Sequence, residues 1–127
     1  MNERNLMTKA QRALSSASAL LAAGDTDGAC NRAYYAMFDA ARAALLASKA
    51  PVPPEVAKTH SGLITAFSLH LVKSGTFSVE LGKSFNKAED LRLIADYKGD
   101  PLEDADGSWV VARAGEFVDA IQQRFFG

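Results

Sequence analysis

Arg32, Tyr35 and Asp39 follow one another at spacings of three and four residues, which on a helix stacks them along one face. A guanidinium presents a planar fork of donors that matches a phosphate. A carboxylate at Asp39 serves as a proton acceptor only if its pKa rises above the ordinary value of about 3.9. Arg32, two turns away on the same face, is expected to lower it instead. Beside this ridge runs an apolar stripe, Cys30, Tyr34, Met37, Ala41 and Leu45, spaced to face a core. Two uses of the Arg32 and Asp39 pair stay open. One is binding of a phosphate group; the other is an ion pair, within or between subunits, that orders a dimer.

The ridge needs a helix to carry it, and the pattern predicts one from about Asp25 to Ser48. A preceding helix over about 3–23 follows from the narrow face of Leu6, Ala10, Ala13, Leu14, Ala17, Leu20 and Leu21. Gly24 supplies a C-terminal stop and Asp25 or Thr26 a new cap, so the first two helices should be antiparallel neighbours. Pro51, Pro53 and Pro54 end the second helix. A third is expected over about 54–74 with Val56, Leu63, Ile64, Phe67, Leu71 and Val72 inward, stopped by Gly75. A fourth spans about 78–97, with Val79, Leu81, Phe85, Ala88, Leu91, Ile94 and Ala95 inward. The segment Lys98-Gly99-Asp100-Pro101 breaks it. A last helix runs from 103 or 106 to 126 on Trp109, Val110, Ala114, Phe117, Val118 and Ile121. The acidic run Asp100, Glu103, Asp104 and Asp106 lacks calcium-loop spacing and suits that helix start. The expected fold is all-α, an antiparallel up-and-down bundle of about five helices, as one domain over 1–127.

Composition narrows the function classes. Hydrophobic residues make up 48% and charged residues 23% of the 127, an ordinary globular balance. A net charge of −1 argues against a strong nonspecific grip on nucleic acid but leaves room for a local basic pocket. One Cys and two distant His make a zinc site unlikely on spacing grounds, and no cofactor or metal is expected. There is no Walker pattern and no nucleophile elbow. No apolar run approaches the roughly 20 residues of a bilayer span. The opening Met1-Asn2-Glu3-Arg4-Asn5 has no apolar core behind it, so a cytoplasmic location is the expectation.

The run from Gly24 to Leu46, centred on Asn31-Arg32-Ala33-Tyr34-Tyr35-Ala36-Met37-Phe38, resembles the HEPN family (higher eukaryotes and prokaryotes nucleotide-binding). Lys58-Thr59-His60-Ser61-Gly62-Leu63-Ile64, and Leu91-Arg92 followed by Ala95-Asp96-Tyr97, extend the match to roughly residues 5–125 of a small prokaryotic type. Many members are metal-independent ribonucleases whose motif is an Arg, four to six residues, then a His. The subunits usually dimerise so that both motifs line one cleft. Here Arg32 is present, but those spacings lead to Met37, Phe38 and Asp39, and neither His60 nor His70 follows any Arg at the required distance.

The resemblance implies a homodimer that binds RNA or nucleotide in an inter-subunit groove, with Arg32 and Tyr35 as ligand-binding residues. It implies a role in a prokaryotic toxin–antitoxin or defence pair, with a minimal nucleotidyltransferase as partner. If the chain is an enzyme, Arg32, Asp39 and His60 are the catalytic candidates, because imidazole titrates near neutrality. His60 also has a structural reading, capping or bridging helices. Tyr34 is expected in the core and Tyr35 at an interface or groove. Arg92, Asp96 and Tyr97 would close the fourth helix, and His70 lies on a solvent face. The tyrosine that a nucleotidyltransferase adenylylates in this family follows the His motif; without that context the role is not carried to any tyrosine here. The alternative is a catalytically inactive dimeric HEPN binding or regulatory module, and a third reading is a helical scaffold without a ligand.

Overall fold

Glycine and proline punctuation divides the chain into helices that fold back on one another. The computed structural model describes every residue except Met1, Lys98, Asp100 and Pro101. Those parts of the expected breaker, of the acidic run and of the N-terminal segment lie outside the described residues. Helices α1 (Glu3–Ala22) and α2 (Thr26–Ala47) form a hairpin, followed by the single turn α3 (Pro54–Ala57). Then come α4 (His60–Phe67), extended by a π-helical turn over Ser68–Val72, α5 (Val79–Tyr97), and α6 (Asp104–Ile121), extended by a second π turn over Gln122–Phe126. Among the described residues there is no strand, so the fold is the expected all-α bundle. No helix among them is long and apolar enough to cross a membrane.

The hairpin follows from local chemistry. Gly24 adopts φ +87°, and backbone bonds from Gly24 N to Leu21 O (3.1 Å) and Asp25 N to Leu20 O (2.9 Å) close the end of α1. The Asp25 carboxylate accepts from Gly28 N at 2.9 Å, capping α2. With so short a turn, the small faces of Ala10, Ala13 and Ala17 on α1 lie against the alanine-rich α2. α2 is the central element: thirteen of its 22 residues are buried, and α1, α4, α5 and α6 all pack on it. α6 is pinned to its start by Thr26 Oγ1 donating to Asp104 Oδ1 (3.2 Å) and Leu102 N donating to Asp27 Oδ1 (3.1 Å). Phe67, Phe85 and Phe117 meet in the core with ring centroids 5.1–5.8 Å apart.

Two expectations need correction. The third helix is not continuous over 54–74. Thr59 adopts an extended ψ of 151° and its Oγ1 accepts from Gly62 N at 3.0 Å, so α4 starts afresh at His60. Gly62 is required there, because a Cβ would collide with the Val56 carbonyl oxygen. Breaking the helix loses the phase of the stripe, and Val56 is exposed. Val79 and Ile94, expected inward, are also exposed. The buried face of α5 is set by Phe85, Ala88 and Arg92, and Ile94, nine residues beyond Phe85, lies half a turn round the helix. Val79 falls on the same outer side.

The aromatic core gives a direct stability contrast. Phe117→Ala should cost about 3–5 kcal/mol, through lost burial and the cavity left behind, whereas Val79→Ala should stay within about 0.5 kcal/mol. Urea unfolding of the two variants beside the wild type measures both.

Candidate functional site

Along the outer edge of α2 the structure places Arg32, Tyr35, Phe38, Asp39 and Arg42 round a hollow of about 300 Å³, completed by Lys9 of α1. Arg32 and Tyr35 are half-buried, and Tyr35 forms part of the wall. The Arg32 guanidinium lies 5.8 Å from the centroid of the Tyr35 ring. A neighbouring hollow shares Phe38 and Arg42 and adds Lys58, Ala57 and Pro54, so the cationic strip continues towards α3. The local chemistry is basic and aromatic even though the whole chain carries a net charge of −1.

Asp39 departs from the expected exposed ridge. Only 4% of it is accessible. Among the described residues it takes part in no ion pair and no side-chain hydrogen bond, so the ion pair with Arg32, one of the two open uses, is not made within the subunit. Its pKa is raised rather than lowered. Burial pushes the carboxyl up, and the opposing pull of Lys9, Arg42 and Arg32 does not cancel it.

Behind the wall lies a second set of polar groups. Tyr34 is fully buried, as expected, yet its phenol oxygen and His60 Nδ1 share a hydrogen bond of 2.7 Å. The His60 ring is packed among Tyr34, Tyr35 and Phe38, with centroids 5.5, 5.7 and 4.9 Å away. His60 therefore backs the aromatic wall and is not among the residues lining the hollow beside Asp39. Burial, with the Glu89 carboxylate near, raises the Tyr34 pKa and keeps the phenol protonated.

Arg92 lies within the bundle instead of simply closing the end of α5. It is 5% exposed and its Nε and Nη2 donate to the two Glu89 carboxylate oxygens at 3.1 and 3.3 Å. Its Nη1 donates to Asp96 Oδ2 at 3.1 Å, and the Asn31 amide of α2 donates to the same oxygen at 3.4 Å. Its guanidinium lies 4.9 Å from the Tyr34 ring centroid and 5.8 Å from that of Tyr35. Arg92 thus ties α5 to the aromatic side of α2. Tyr97 is exposed beyond it, and His70 is half-buried near the other end of the bundle rather than on an open face.

Sequence reasoning missed Lys9, Phe38, Arg42 and Lys58. Arg42 was visible, because it extends the ridge by three residues beyond Asp39. Lys9 had a subtler signal: it and Asp39 each stand fifteen residues from Gly24, so a tight hairpin brings them side by side. Lys58 had none, since its approach depends on the break before α4.

The profile of the HEPN domain matches residues 4–124. The chain belongs to the HEPN family. Among its relatives, a UPF0332 protein of Gloeobacter violaceus is 33% identical over 123 residues, 95% of this chain and 94% of that one. A UPF0332 protein of Thermotoga maritima is 34% identical over 118 residues, covering 91% of this chain and 84% of its own length. A Methanocaldococcus jannaschii protein bearing the name "Putative toxin MJ0605" is 35% identical over 92 residues, 72% of this chain and 65% of that protein.

Asp39 and Arg92 predict opposite mutational signs in this HEPN domain. A carboxyl whose folded pKa exceeds its unfolded value binds protons more tightly in the native state. Stability therefore falls as pH rises from the ordinary value of 3.8 through the raised one, and stays reduced at neutrality. Asp39→Asn should then unfold at higher urea than wild type at pH 7, and the advantage should vanish below about pH 4. Arg92→Ala removes the buried partner of Glu89 and Asp96, which themselves keep some exposure, and should cost about 1.5–3 kcal/mol at pH 7. Urea titrations of both variants across pH 3–8 decide the signs.

Proposed function

We propose that this HEPN protein acts as the toxin-like member of a prokaryotic toxin–antitoxin or defence pair and binds RNA or a nucleotide along α2. The observation that carries the reading is the grouping of Lys9, Arg32 and Arg42 with Tyr35 and Phe38 round one hollow. Cations at the rim suit phosphate oxygens, and aromatic faces suit stacked bases. The name of the Methanocaldococcus jannaschii relative supports the toxin side of the proposal.

The site is open on its outer side, and a second copy related by a twofold axis would bring the same patch across and convert the hollow into a groove. The proposal includes that homodimer and a minimal nucleotidyltransferase as its partner. The proton-transfer step would fall to Asp39, whose raised pKa moves it towards the range a general base needs.

One observation favours the alternative, a catalytically inactive dimeric binding module. His60 is packed behind the aromatic wall with its Nδ1 engaged by Tyr34, and no histidine lines the hollow. Under that reading the groove holds RNA without cleaving it. Binding is common to both readings and is the part to test first.

Arg32→Ala should weaken binding of a short single-stranded RNA by roughly tenfold, as loss of one charge-assisted phosphate contact does. The same variant should lose at most about 1 kcal/mol of stability, because Arg32 makes no ion pair among the described residues. Fluorescence anisotropy and urea unfolding measure the two quantities. Equal RNA affinity in the variant would reject the binding site. Light scattering should give twice the 13.6 kDa chain mass, and a monomer at micromolar concentration would reject the dimer.

A further inference from the structure

Asp39 is the anomaly of the site. A buried carboxylate normally has partners, because an unpaired acceptor loses its hydration without return. This one lies in the wall of a hollow, 4% accessible, with no hydrogen bond or ion pair among the described residues. Neither carboxylate oxygen is fully enclosed, and with no protein donor on them it is from the hollow that a ligand's donors would reach them.

The donor must belong to a ligand that tolerates the rest of the lining. Lys9, Arg32 and Arg42 are all positive, so the ligand carries negative charge elsewhere. A guanidinium or ammonium from another protein would satisfy the carboxylate but would have to pass those three cations. Tyr35 and Phe38 offer ring faces, which suit a planar heterocycle. A nucleotide combines the planar ring with the anion.

Among the four common bases, one fits an ionised carboxylate best. Guanine presents two adjacent donors, N1–H and the N2 amine, which match the two carboxylate oxygens. Adenine and cytosine place an acceptor beside their single amine donor, so the second oxygen meets a lone pair. Uracil offers one N–H between two carbonyls. The geometry points to Asp39 as a base-reading residue that selects guanine in a nucleotide or in single-stranded RNA. This rests on the binding-module reading of the hollow, in which Asp39 holds a base and takes no proton-transfer step, and adds to it the identity of the base.

The test uses the full chain and the 5′-monophosphates of guanosine, inosine, adenosine, cytidine and uridine, titrated by calorimetry at pH 7.5. Guanosine monophosphate should bind roughly tenfold more tightly than the inosine nucleotide, which lacks only the N2 amine, and more tightly than the other three. Arg32→Ala should weaken all five together. Asp39→Asn should abolish the guanine preference and raise affinity for adenosine monophosphate, because an amide offers one donor and one acceptor. Binding that depends on Arg32 but shows no base preference, or a preference unchanged by Asp39→Asn, would overturn the base reading and leave the nucleotide site standing. No binding of any of the five would remove the site itself and the base reading with it. If Asp39→Asn instead changes the mass seen by light scattering and leaves every nucleotide affinity unaltered, the carboxylate belongs to a subunit contact and the inference is wrong.

Discussion

The burial of α2 is the constraint on which the rest of the molecule depends. Four other helices pack on it, and its small alanine faces let them approach closely. A helix enclosed on so many sides has only one edge left for polar groups. That edge carries Arg32, Tyr35, Asp39 and Arg42, and the hairpin to α1 adds Lys9. The same packing that forms the core therefore fixes the site's backbone, so the cations there do not depend on a mobile loop for their placement. Asp39 lies in the wall of the same hollow, and neither Lys9 nor Arg42 pairs with it within 4.0 Å.

Arg92 gives α2 a polar anchor towards α5, against Tyr34 and Tyr35. A guanidinium buried with two carboxylates and beside two tyrosine rings is strongly directional, and its loss would leave like charges facing each other. Through Tyr34 the anchor reaches His60, and through Tyr35 and Phe38 it reaches the hollow. Arg92 and Asp39 are thus the two buried charged side chains among the described residues, and they differ in kind. Arg92 is fully partnered and contributes to folding. Asp39 is unpartnered, and its raised pKa marks a residue that weakens the fold at neutral pH where it stands. Stability alone gives no reason for such a residue, whereas a ligand that completes its hydrogen bonds does.

Much of this was legible in the sequence, for identifiable reasons. The α1–α2 hairpin was readable because Gly24 and Asp25 carry stop and start signals whose chemistry is local. The stripe of Cys30, Tyr34, Met37, Ala41 and Leu45 was readable because one face of a long helix keeps its phase. The break before α4 was hidden, since Thr59 and Gly62 form a cap inside what looks like one hydrophobic run. The exposure of Ile94 was hidden because Arg92, an ionisable residue, supplies part of the buried face of α5. The placement of Arg32 and Tyr35 on one face was readable from spacing, and both line the hollow. The burial of Asp39 was not, because it depends on how closely the neighbouring helices pack on α2. The sign of its pKa shift depends on the same packing.

The central claim is that the open edge of α2 holds nucleic acid by its phosphates and bases. The most direct measurement is a two-dimensional amide NMR titration of the isotopically labelled protein with a short single-stranded RNA. The account predicts that shifts concentrate at Lys9, Arg32, Tyr35, Phe38, Asp39 and Arg42, and fade as salt is raised, because the phosphate contacts are electrostatic. Shifts confined to the exposed face of α5 round Leu93, Ile94 and Tyr97, with the α2 edge unmoved, would contradict it.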